Sequence, residues 1–566
     1  MDKKIVLVVM LVVLSATVIP VAGFLPTQAG YSAQTHQLLD SETGVLGFND
    51  DIWPMFRHDS ANTGCTDYYS PNTNHVKWQT NINTQIGQTT PILYADKLYI
   101  STGWYYKSET MTNDLFNRTP LDLLQELLQP QTIDNSGLYC LDAKTGAYLW
   151  SLPMDSTNDP AIVDDNVYVT SMSLSSYTSE LYCLNAKNGN ISWKKDINGL
   201  VLSPTLVVDE KIFITSLDFY SYAGSMNCYD LSGELLWSSP FNGYELCYFS
   251  APAVYDGRVY CMTIDLYSYF TGNLYCMNED TGAILWTKPI YSFALLFGQS
   301  VSPVCADDKV YITDFDLYSY VGHLRCFDGE TGDVEWTHTF TSSLIFASPA
   351  ISEDLLYIPS FEFYSYYSWL YCFDATNGAL QWKVALPGSD YFGFGSAICS
   401  ADKILLSSGG YASSNELMCL EKENGSFVWN YLLDSETIGR QSFGKDRLYA
   451  TDVDGNVYMF EDVLKITYIL GGFLGINAII HNSDNTSLYN ITWSISVTGG
   501  YLGNINRTHS GAIQELRAGK SKIIRLVPII GMGKFEVLVK ATMPMMNMIK
   551  KAKQGLVFGS ICICLP

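Results

Sequence analysis

Hydrophobic and polar positions along this chain alternate in short runs, a pattern that predicts β-strands of four to eight residues. The unit that opens at Trp286 illustrates the pattern, because Asp-Asp-Lys at 307–309 and Glu-Thr-Gly at 330–332 separate its apolar runs. Such residues favour tight turns, since Asp bonds to its own backbone and Gly accepts positive φ. Four short strands are therefore predicted in this unit: 286–290, 302–306, 310–314 and 323–328.

The unit repeats along most of the chain. The pattern Leu-Tyr-Cys-x-Asp/Asn…Gly…Trp occurs seven times, first as LYCLDAKTGAYLW at 138–150, and the seven closing tryptophans lie 43 to 50 residues apart. Self-similarity at this period, with four short strands in each unit, favours the blades of a β-propeller. Eight tryptophans open eight complete units, so we predict an all-β, eight-bladed propeller over residues 51–464: Trp78, Trp150, Trp193, Trp237, Trp286, Trp336, Trp382 and Trp429.

The repeat resembles the tryptophan-docking repeat of the PQQ-like, or quinoprotein-type, propellers, where PQQ is pyrroloquinoline quinone. The segment WPMFRHD at 53–59 resembles the lead-in that often precedes blade one in that family. The resemblance covers about 410 residues and implies the fold. It implies no single function, because the family includes quinoprotein dehydrogenases, assembly-factor scaffolds and surface proteins.

Fourteen cysteines would suggest disulfides in an exported chain. Seven of them occupy one equivalent strand position in successive units, and adjacent blades should hold them too far apart to pair. We expect these seven to pack as small buried hydrophobes, with Cys261 and Cys276 as a candidate pair across one hairpin. The chain has no Cys-x-x-Cys, so no metal site is predicted.

Residues 1–23 have the layout of a signal peptide, with Lys3 and Lys4 before an apolar run, and residues 24–50 form a linker. The alternative is an uncleaved N-terminal segment that associates with the membrane. We expect an exported protein at the cell surface. Its net charge of −24 argues against nucleic acid as a partner. Six sequons are candidate glycosylation sites: Asn117, Asn190, Asn424, Asn485, Asn490 and Asn506.

After residue 464 the repeat stops. Alternating runs such as 488–497, separated by Gly- and Asn-rich turns, predict a small Ig-like β-sandwich over residues 465–566. It resembles the adhesion-type Ig-like modules appended to surface propellers. The apolar end at 556–566 is too short for a transmembrane helix, and we expect a final β-strand there; the alternative is a tail that contacts a membrane or a partner.

Tyrosines recur at matching positions in four hairpins between the third and fourth strands of the predicted units: Tyr220 and Tyr222, Tyr267 and Tyr269, Tyr318 and Tyr320, Tyr364 and Tyr366. One interpretation is packing between neighbouring hairpins, duplicated with the blades. The other is an amphipathic aromatic surface for a partner. An insertion at about 104–136 projects from the same end, and its short helix would either cover this surface or pack against it.

The function expected is an exported, non-catalytic propeller that binds a protein or glycan partner at the cell surface. The family resemblance implies an alternative, a PQQ-dependent oxidoreductase with a calcium ion on the quinone. Many such enzymes carry two consecutive cysteines, and this chain has no Cys-Cys pair. No catalytic, cofactor or metal-binding residue can be assigned. A second alternative is a scaffold in envelope assembly.

Overall fold

A computed structural model describes residues 52–87, 89–102, 135–247, 250–265, 267–268, 271–292, 301–316, 318–341, 343–362, 365, 367–386, 395–407, 415–435, 437, 440–484, 486–544 and 548–565. The predicted signal peptide, the linker and most of the insertion lie outside these residues. Within them the chain forms β-strands and one 3-10 turn at Tyr501–Gly503, so no helix of this part is long and apolar enough to cross a membrane.

The described residues form eight antiparallel blades with four main strands each, which is the predicted number. From the inner to the outer strand they are, in blade 1, Ile92–Tyr94, Lys97–Ser101, Gly137–Asp142 and Tyr148–Pro153; in blade 2, Ala161–Val163, Asn166–Ser173, Thr178–Asn185 and Ile191–Ile197; in blade 3, Leu206–Val208, Lys211–Asp218, Ala223–Asp230 and Leu235–Pro240; in blade 4, Ala253–Tyr255, Arg258–Met262, Thr271–Asn278 and Ile284–Tyr291; in blade 5, Val304–Ala306, Lys309–Asp316, Val321–Asp328 and Val334–Thr341; in blade 6, Ala350–Ser352, Leu355–Glu362, Tyr367–Asp374 and Leu380–Ala385; in blade 7, Ile398–Cys399, Lys403–Ser407, Glu416–Glu421 and Phe427–Leu432; in blade 8, Ser442–Gly444, Arg447–Thr451, Asn456–Glu461 and Val76–Asn81.

Short strands supplement four of these sheets close to the loops that lead into the inner strands. They are Ser156–Thr157 in blade 2, Leu200–Val201 in blade 3, Glu245–Leu246 paired with Ile264–Asp265 beside blade 4, and Ser343–Leu344 in blade 6.

The predicted unit is offset from the blade by one strand. The strand that carries Trp286 pairs with Thr271–Asn278, which precedes it in the chain, and not with Val304–Ala306, which follows. The tight turn 279–283 makes the first pair a hairpin, whereas ten or more residues separate the second pair. Consequently Trp78 does not open blade 1. Its strand, Val76–Asn81, is the outer strand of blade 8 and closes the ring.

Each tryptophan packs its ring against the next blade. Trp286 illustrates the contact, because its Nε1 and the hydroxyl of Tyr260 both donate to the carbonyl of Gly329 in blade 5, at 3.2 and 3.0 Å. Gly332, at φ +69°, lies over the indole, where an added Cβ would fall 2.6 Å from the ring. Trp78 makes the same bond to Ala143 of blade 1 at 3.3 Å, so the contact also joins blade 8 to blade 1.

A segment at the propeller axis, residues 53–69 and hereafter the axial segment, pairs with the inner strands in blade order. Backbone bonds link Trp53 to Leu93, Pro54 to Ile162, Ser60 to Val254, Ala61 to Cys305, Thr63 to Ile351, and Gly64 and Thr66 to Cys399. Inner strands are sheet edges with unpaired N–H and C=O groups. The axial segment satisfies these groups in six of the eight blades.

Two side chains of the axial segment bond to the loops that converge on the axis. Arg57 is buried, and its guanidinium donates to the carbonyls of Asn62 at 3.0 Å, Ala397 at 3.5 Å and Pro349. Asn62 donates to Pro252 at 3.0 Å and to Pro303 at 3.2 Å. Burial and the neighbouring Arg440 cation lower the pKa of Arg57. The segment is therefore fixed by side chains as well as by its backbone.

A disulfide joins Cys65 of the axial segment to Cys399 of blade 7, with a Cα–Cα distance of 4.4 Å and 334 residues between them in sequence. The candidate pair was wrong, because Cys276 lies opposite Tyr260 and Cys261 opposite Tyr275, one register position apart. That shift points their side chains to opposite faces of the sheet. The seven repeated cysteines are free and buried: Cys140, Cys183, Cys228, Cys276, Cys326, Cys372 and Cys419.

The chain after residue 463 forms two sheets that enclose a separate hydrophobic core. One sheet contains Leu464–Gly472, Gly475–Asn482 and Ser521–Leu526; the other contains, in order, Ile505–Leu516, Leu488–Gly499, Gly531–Thr542, Ile549–Gly559 and Ile561–Cys564. The two form a β-sandwich, and its Ig-like character stays a prediction.

The sandwich contacts blades 7 and 8. Lys77 bonds to the carbonyl of Ser483 at 3.0 Å and to Asp484 at 3.3 Å, and Lys550 pairs with Glu421 at 2.9 Å. A cavity of about 370 Å³ lies at this junction, between residues such as Tyr69, Asp446 and Lys551.

Replacing Trp237 by Ala should lower the free energy of unfolding by about 3–5 kcal/mol. Trp237 lies in the outer strand of blade 3 and is 9% exposed. Its Nε1 donates to the carbonyl of Glu279, in the last turn of blade 4, at 2.9 Å, and its ring lies under Gly282 of the same turn. Urea denaturation followed by circular dichroism gives the value. Leu235→Ala, 52% exposed on the same strand, is the matched control and should change stability by less than about 0.5 kcal/mol. Equal effects of the two variants would contradict the docking contact.

Replacing Arg57 by Ala should lower the free energy of unfolding by about 2–4 kcal/mol, because buried carbonyls at the axis lose their donor. Lys144→Ala is the control, since its pair with Asp96 is about half exposed on both sides and should contribute at most about 1 kcal/mol. Thermal and urea denaturation test both variants. A near-neutral Arg57 variant would show that the axial segment is held without its side chain.

Candidate functional site: the hairpin face

The strands of each blade alternate in direction, so the loops divide between two ends of the propeller. One end carries the hairpins between the second and third strands and the loops that lead to the next blade's inner strand. We call this end the hairpin face. The other end, the turn face, carries the Asp-rich turns such as 164–165 and the glycine turns such as 186–190. The predicted tyrosine hairpins belong to the hairpin face.

The first tyrosine of each described pair is exposed. The exposed fractions are 81% for Tyr220, 56% for Tyr267 and 62% for Tyr318, in blades 3, 4 and 5. The cause is local, because the backbone N–H of each tyrosine donates at 2.9 Å to an aspartate two residues earlier. This bond closes the hairpin and leaves the ring outside. The aspartates are Asp218, Asp265 and Asp316.

The second tyrosine points inward. Tyr222 and Tyr320 are partly buried against the propeller core, with φ of 54° and 57°. Burial raises the pKa of Tyr320. The inner ring therefore packs against the propeller and the outer ring is exposed, and binding of a partner by the outer rings stays a prediction.

Sequence reasoning missed Tyr177, which holds the inner position in blade 2 with φ of 55°. Its ring stacks on Phe219 of blade 3, with centroids 3.8 Å apart and an interplanar angle of 3°. Tyr177 follows Ser173 by four residues, as Tyr222 follows Asp218. This spacing is the feature of the sequence that could have identified Tyr177 as an inner tyrosine. The hairpin of blade 2 lacks the Tyr-Ser-Tyr motif, so its equivalence to the other hairpins was not recognised from the sequence.

The aromatic surface extends into a loop between blades. Tyr244 is 47% exposed, and its ring centroid lies 4.5 Å from that of Tyr267. Tyr269, Tyr364 and Tyr366 lie outside the described residues, as do residues 103–134 of the predicted insertion.

Carboxylates accompany the exposed tyrosines. Burial alone would raise the pKa of Asp218, but the backbone amides of Tyr220 and Ser221 donate to it and hold the pKa below its usual value. Glu362 has the equivalent place in blade 6 and accepts from Ser365 at 2.6 Å and from Trp369 at 3.2 Å. The hairpin face is thus both aromatic and acidic.

A cavity of about 560 Å³ opens between blades 2 and 3, beside the Tyr220 hairpin. Part of its wall is polar: Asn227 donates to Ser216 at 2.8 Å and accepts from Ser238 at 2.7 Å. Asp218 and Asp196 also line it. The strands that carry the Tyr220 hairpin therefore border a recess with hydrogen-bonding groups.

Blade 5 holds a buried charged cluster. Asp314 is completely buried, lies 3.1 Å from Arg325 and hydrogen-bonds to His323 at 2.8 Å. Both partners lie against the ring of Tyr291, with His323 stacked at 5.8 Å and Arg325 at 5.6 Å from the ring centroid. The carboxylate is thus paired on two sides, as a buried charge requires. The cluster fixes the side chains of Arg325 and His323 beside the blade 5 hairpin.

The PQQ and calcium implied by the family resemblance would need Glu, Asn and Asp ligands near the axis. There Asp159 is buried and already bonds to Arg440 at 3.2 Å and to the backbone of Thr90 at 2.7 Å, and burial raises its pKa. No three His, Cys, Asp or Glu side chains of the described chain stand together where they could hold a metal ion. At the axis, Asp159 and Arg440 are therefore already bonded to each other.

Four of the six sequons fall on described residues, and all four asparagines are exposed. Asn190 and Asn424 lie in glycine turns on the turn face, so a glycan there would leave the hairpin face open. Asn490 and Asn506 lie on the sandwich. Asn117 and Asn485 are outside the described residues.

A family model described as PQQ_2, outer membrane protein assembly factor BamB, matches residues 134–270, 271–361 and 367–464. Among solved structures, the quinohemoprotein alcohol dehydrogenase from Comamonas testosteroni is similar with a TM-score of 0.51 and 13% identity, over 72% of this chain and 80% of the other. BamB from Moraxella catarrhalis gives 0.45 and 14%, over 69% and 99%. No curated protein sequence matches the chain.

Proposed function

Since the chain belongs to the PQQ_2 family, described as outer membrane protein assembly factor BamB, we propose that its propeller is an exported, non-catalytic scaffold that binds a protein partner through the hairpin face. One observation carries the proposal: three blades in a row expose a tyrosine at the same hairpin position, Tyr220, Tyr267 and Tyr318. The name of the family describes an assembly factor, which is compatible with a scaffold that works through protein contacts.

Tyrosine suits this role because its ring buries a large apolar area at low entropic cost while its hydroxyl makes hydrogen bonds. The inner tyrosines support the outer ones, since Tyr222 and Tyr320 pack against the core beneath them. A pre-formed surface needs little ordering when a partner binds. Such rings, clustered over adjacent blades, have the composition of an interface hot spot.

The charge of the face favours one partner chemistry. Asp218, Asp265 and Asp316 place a carboxylate beside each exposed ring, within an acidic chain. Opposite charge on a partner would speed association and favour the correct orientation. A protein surface rich in Lys, Arg and aromatic residues meets both requirements. A neutral glycan would use the rings and the polar recess beside Tyr220, and is the alternative ligand.

The variant Tyr220→Ser, Tyr267→Ser and Tyr318→Ser should retain its fold and lose partner capture by about 10- to 100-fold, the range expected when hot-spot rings are removed. The measurement is a pull-down from native cell envelope, with retained proteins quantified by mass spectrometry. Tyr148→Ser is the matched control, because Tyr148 is 58% exposed on the outer strand of blade 1.

Unchanged retention by the triple variant would reject the hairpin face as the binding surface. A glycan array read with the same proteins distinguishes the ligand classes. Sugar binding that the triple variant loses, without any retained protein, would replace the protein partner by a glycan.

The PQQ-dependent alternative rests on the family resemblance, and calorimetric titration of residues 30–566 with PQQ and Ca²⁺ tests it. We expect no saturable heat, because Arg440 and Asp159 at the axis already bond to each other. Saturable one-to-one binding, followed by alcohol-dependent dye reduction, would replace the scaffold proposal by an oxidoreductase.

A further inference from the structure

The β-sandwich has an apolar end formed by four turns. The turns join Leu464–Gly472 to Gly475–Asn482, Leu488–Gly499 to Ile505–Leu516, Ser521–Leu526 to Gly531–Thr542, and Ile549–Gly559 to Ile561–Cys564. Strand register places them together, because Gly499 pairs with Phe535, Gly531 with Gly559, and Ile476 with Leu526. We call these turns the sandwich tip.

The four turns contact one another. The amide of Leu474 donates to Ser560 at 2.6 Å, and that of Ile529 donates to Leu474 at 2.8 Å. Phe473 and Ile561 form an isolated bridge. Gly500 donates to the carbonyl of Lys534 at 2.6 Å. The tip is therefore one continuous surface and not four independent loops.

Large apolar side chains of the tip are exposed to an unusual degree. The exposed fraction is 89% for Leu502, 75% for Phe473 and 70% for Tyr501. Other apolar side chains around them are more than half exposed: Val527, Ile530, Met532, Phe558 and Ile561. Contiguous apolar surface of this kind marks a site of interaction with a protein or a membrane.

The distribution of charge distinguishes between a protein and a membrane as the ligand of the tip. Residues 463–566 contain 11 Lys and Arg against three Asp and Glu, which gives them a net charge of +8. Since the whole chain has a net charge of −24, residues 1–462 have a net charge of −32. The turns 470–475, 499–505, 526–533 and 558–565 contain no charged residue. Arg507, Arg525 and Lys534 follow or precede them closely on the strands, and all three are exposed. The tip is thus an apolar end with a cationic rim.

We infer that the sandwich tip inserts into the surface of a lipid bilayer that carries anionic headgroups. Its apolar side chains would enter the boundary between headgroups and acyl chains, Tyr501 would lie at headgroup level, and the cationic rim would contact the phosphates.

The experiment is co-sedimentation of residues 30–566 with vesicles of phosphatidylcholine, alone or mixed with phosphatidylglycerol. We expect binding to the mixed vesicles that weakens with added salt and falls at least about tenfold on phosphatidylcholine alone. Phe473→Ser with Leu502→Asn should reduce binding by at least about tenfold. Asn is chosen because residue 502 has φ of +57°, a conformation that Asn accepts.

Tyr468→Ser is the matched control, because Tyr468 is 62% exposed on the same sandwich but lies toward the propeller. It should bind vesicles as the unmodified chain does. The triple tyrosine variant of the hairpin face should also bind them normally, so a failure of the membrane proposal can be distinguished from a failure of the proposed function. Circular dichroism confirms that each variant is folded.

Three results would overturn the inference. The first is no vesicle binding, or binding that the tip variant retains. The second is a dimer in sedimentation velocity that the tip variant abolishes, which would make a second copy the occupant of the tip. The third is a glycan on Asn506 of the native protein, because that residue adjoins the tip and a glycan there would keep it away from the bilayer.

Discussion

The unpaired inner edge of every blade is the constraint on which the propeller depends. A ring of sheets brings eight edge strands to one axis, and each N–H or C=O that is buried there without a partner is costly. The axial segment runs past the blades in chain order and bonds to the inner strands of six of them. Hydroxyls continue the arrangement toward the hairpin face, where Ser302 donates its amide to Ser348, and Ser348 donates to Ser396, each near 2.9 Å. The Cys65–Cys399 disulfide then fixes the far end of the segment to blade 7.

The outer part of the ring relies on a different contact, and this one could be predicted. Seven of the eight tryptophans meet a glycine of the following blade, and the eighth, Trp429, stacks on Phe460 of blade 8. The contact must therefore recur at one period in the sequence, and the period of the tryptophans gives the count of eight. The offset between unit and blade could not be predicted, because a hairpin and a crossover loop both appear as polar residues between strands. The closure of blade 8 by Val76–Asn81 and the disulfide join residues more than 300 positions apart, for which one sequence contains no local signal.

The candidate site could also be predicted in part, again because the sequence repeats. Repetition revealed the tyrosine positions, but not which ring of a pair is exposed, since this depends on the turn that Asp218 and its equivalents close by accepting a backbone bond. Tyr177 was not predicted because its hairpin has Ser173 in place of the acidic residue and lacks the first tyrosine of the pair. The apolar tip of the sandwich escaped for a tertiary reason: its turns are far apart in sequence, and only the register of the strands brings Phe473 to Ile561.

The two proposed surfaces lie at opposite ends of the molecule. The third strand of blade 8, Asn456–Glu461, runs toward the turn face, and the sandwich begins directly after it at Leu464. Its contacts with Glu421 and with the residues around Asp446 are also at the turn face. The tip is at the far end of strands up to 12 residues long, about 40 Å from that junction. A tip held in a bilayer would therefore hold the turn face toward the membrane and present the tyrosines of the hairpin face outward. The charges agree with this orientation, because an anionic surface attracts the sandwich and repels the acidic propeller.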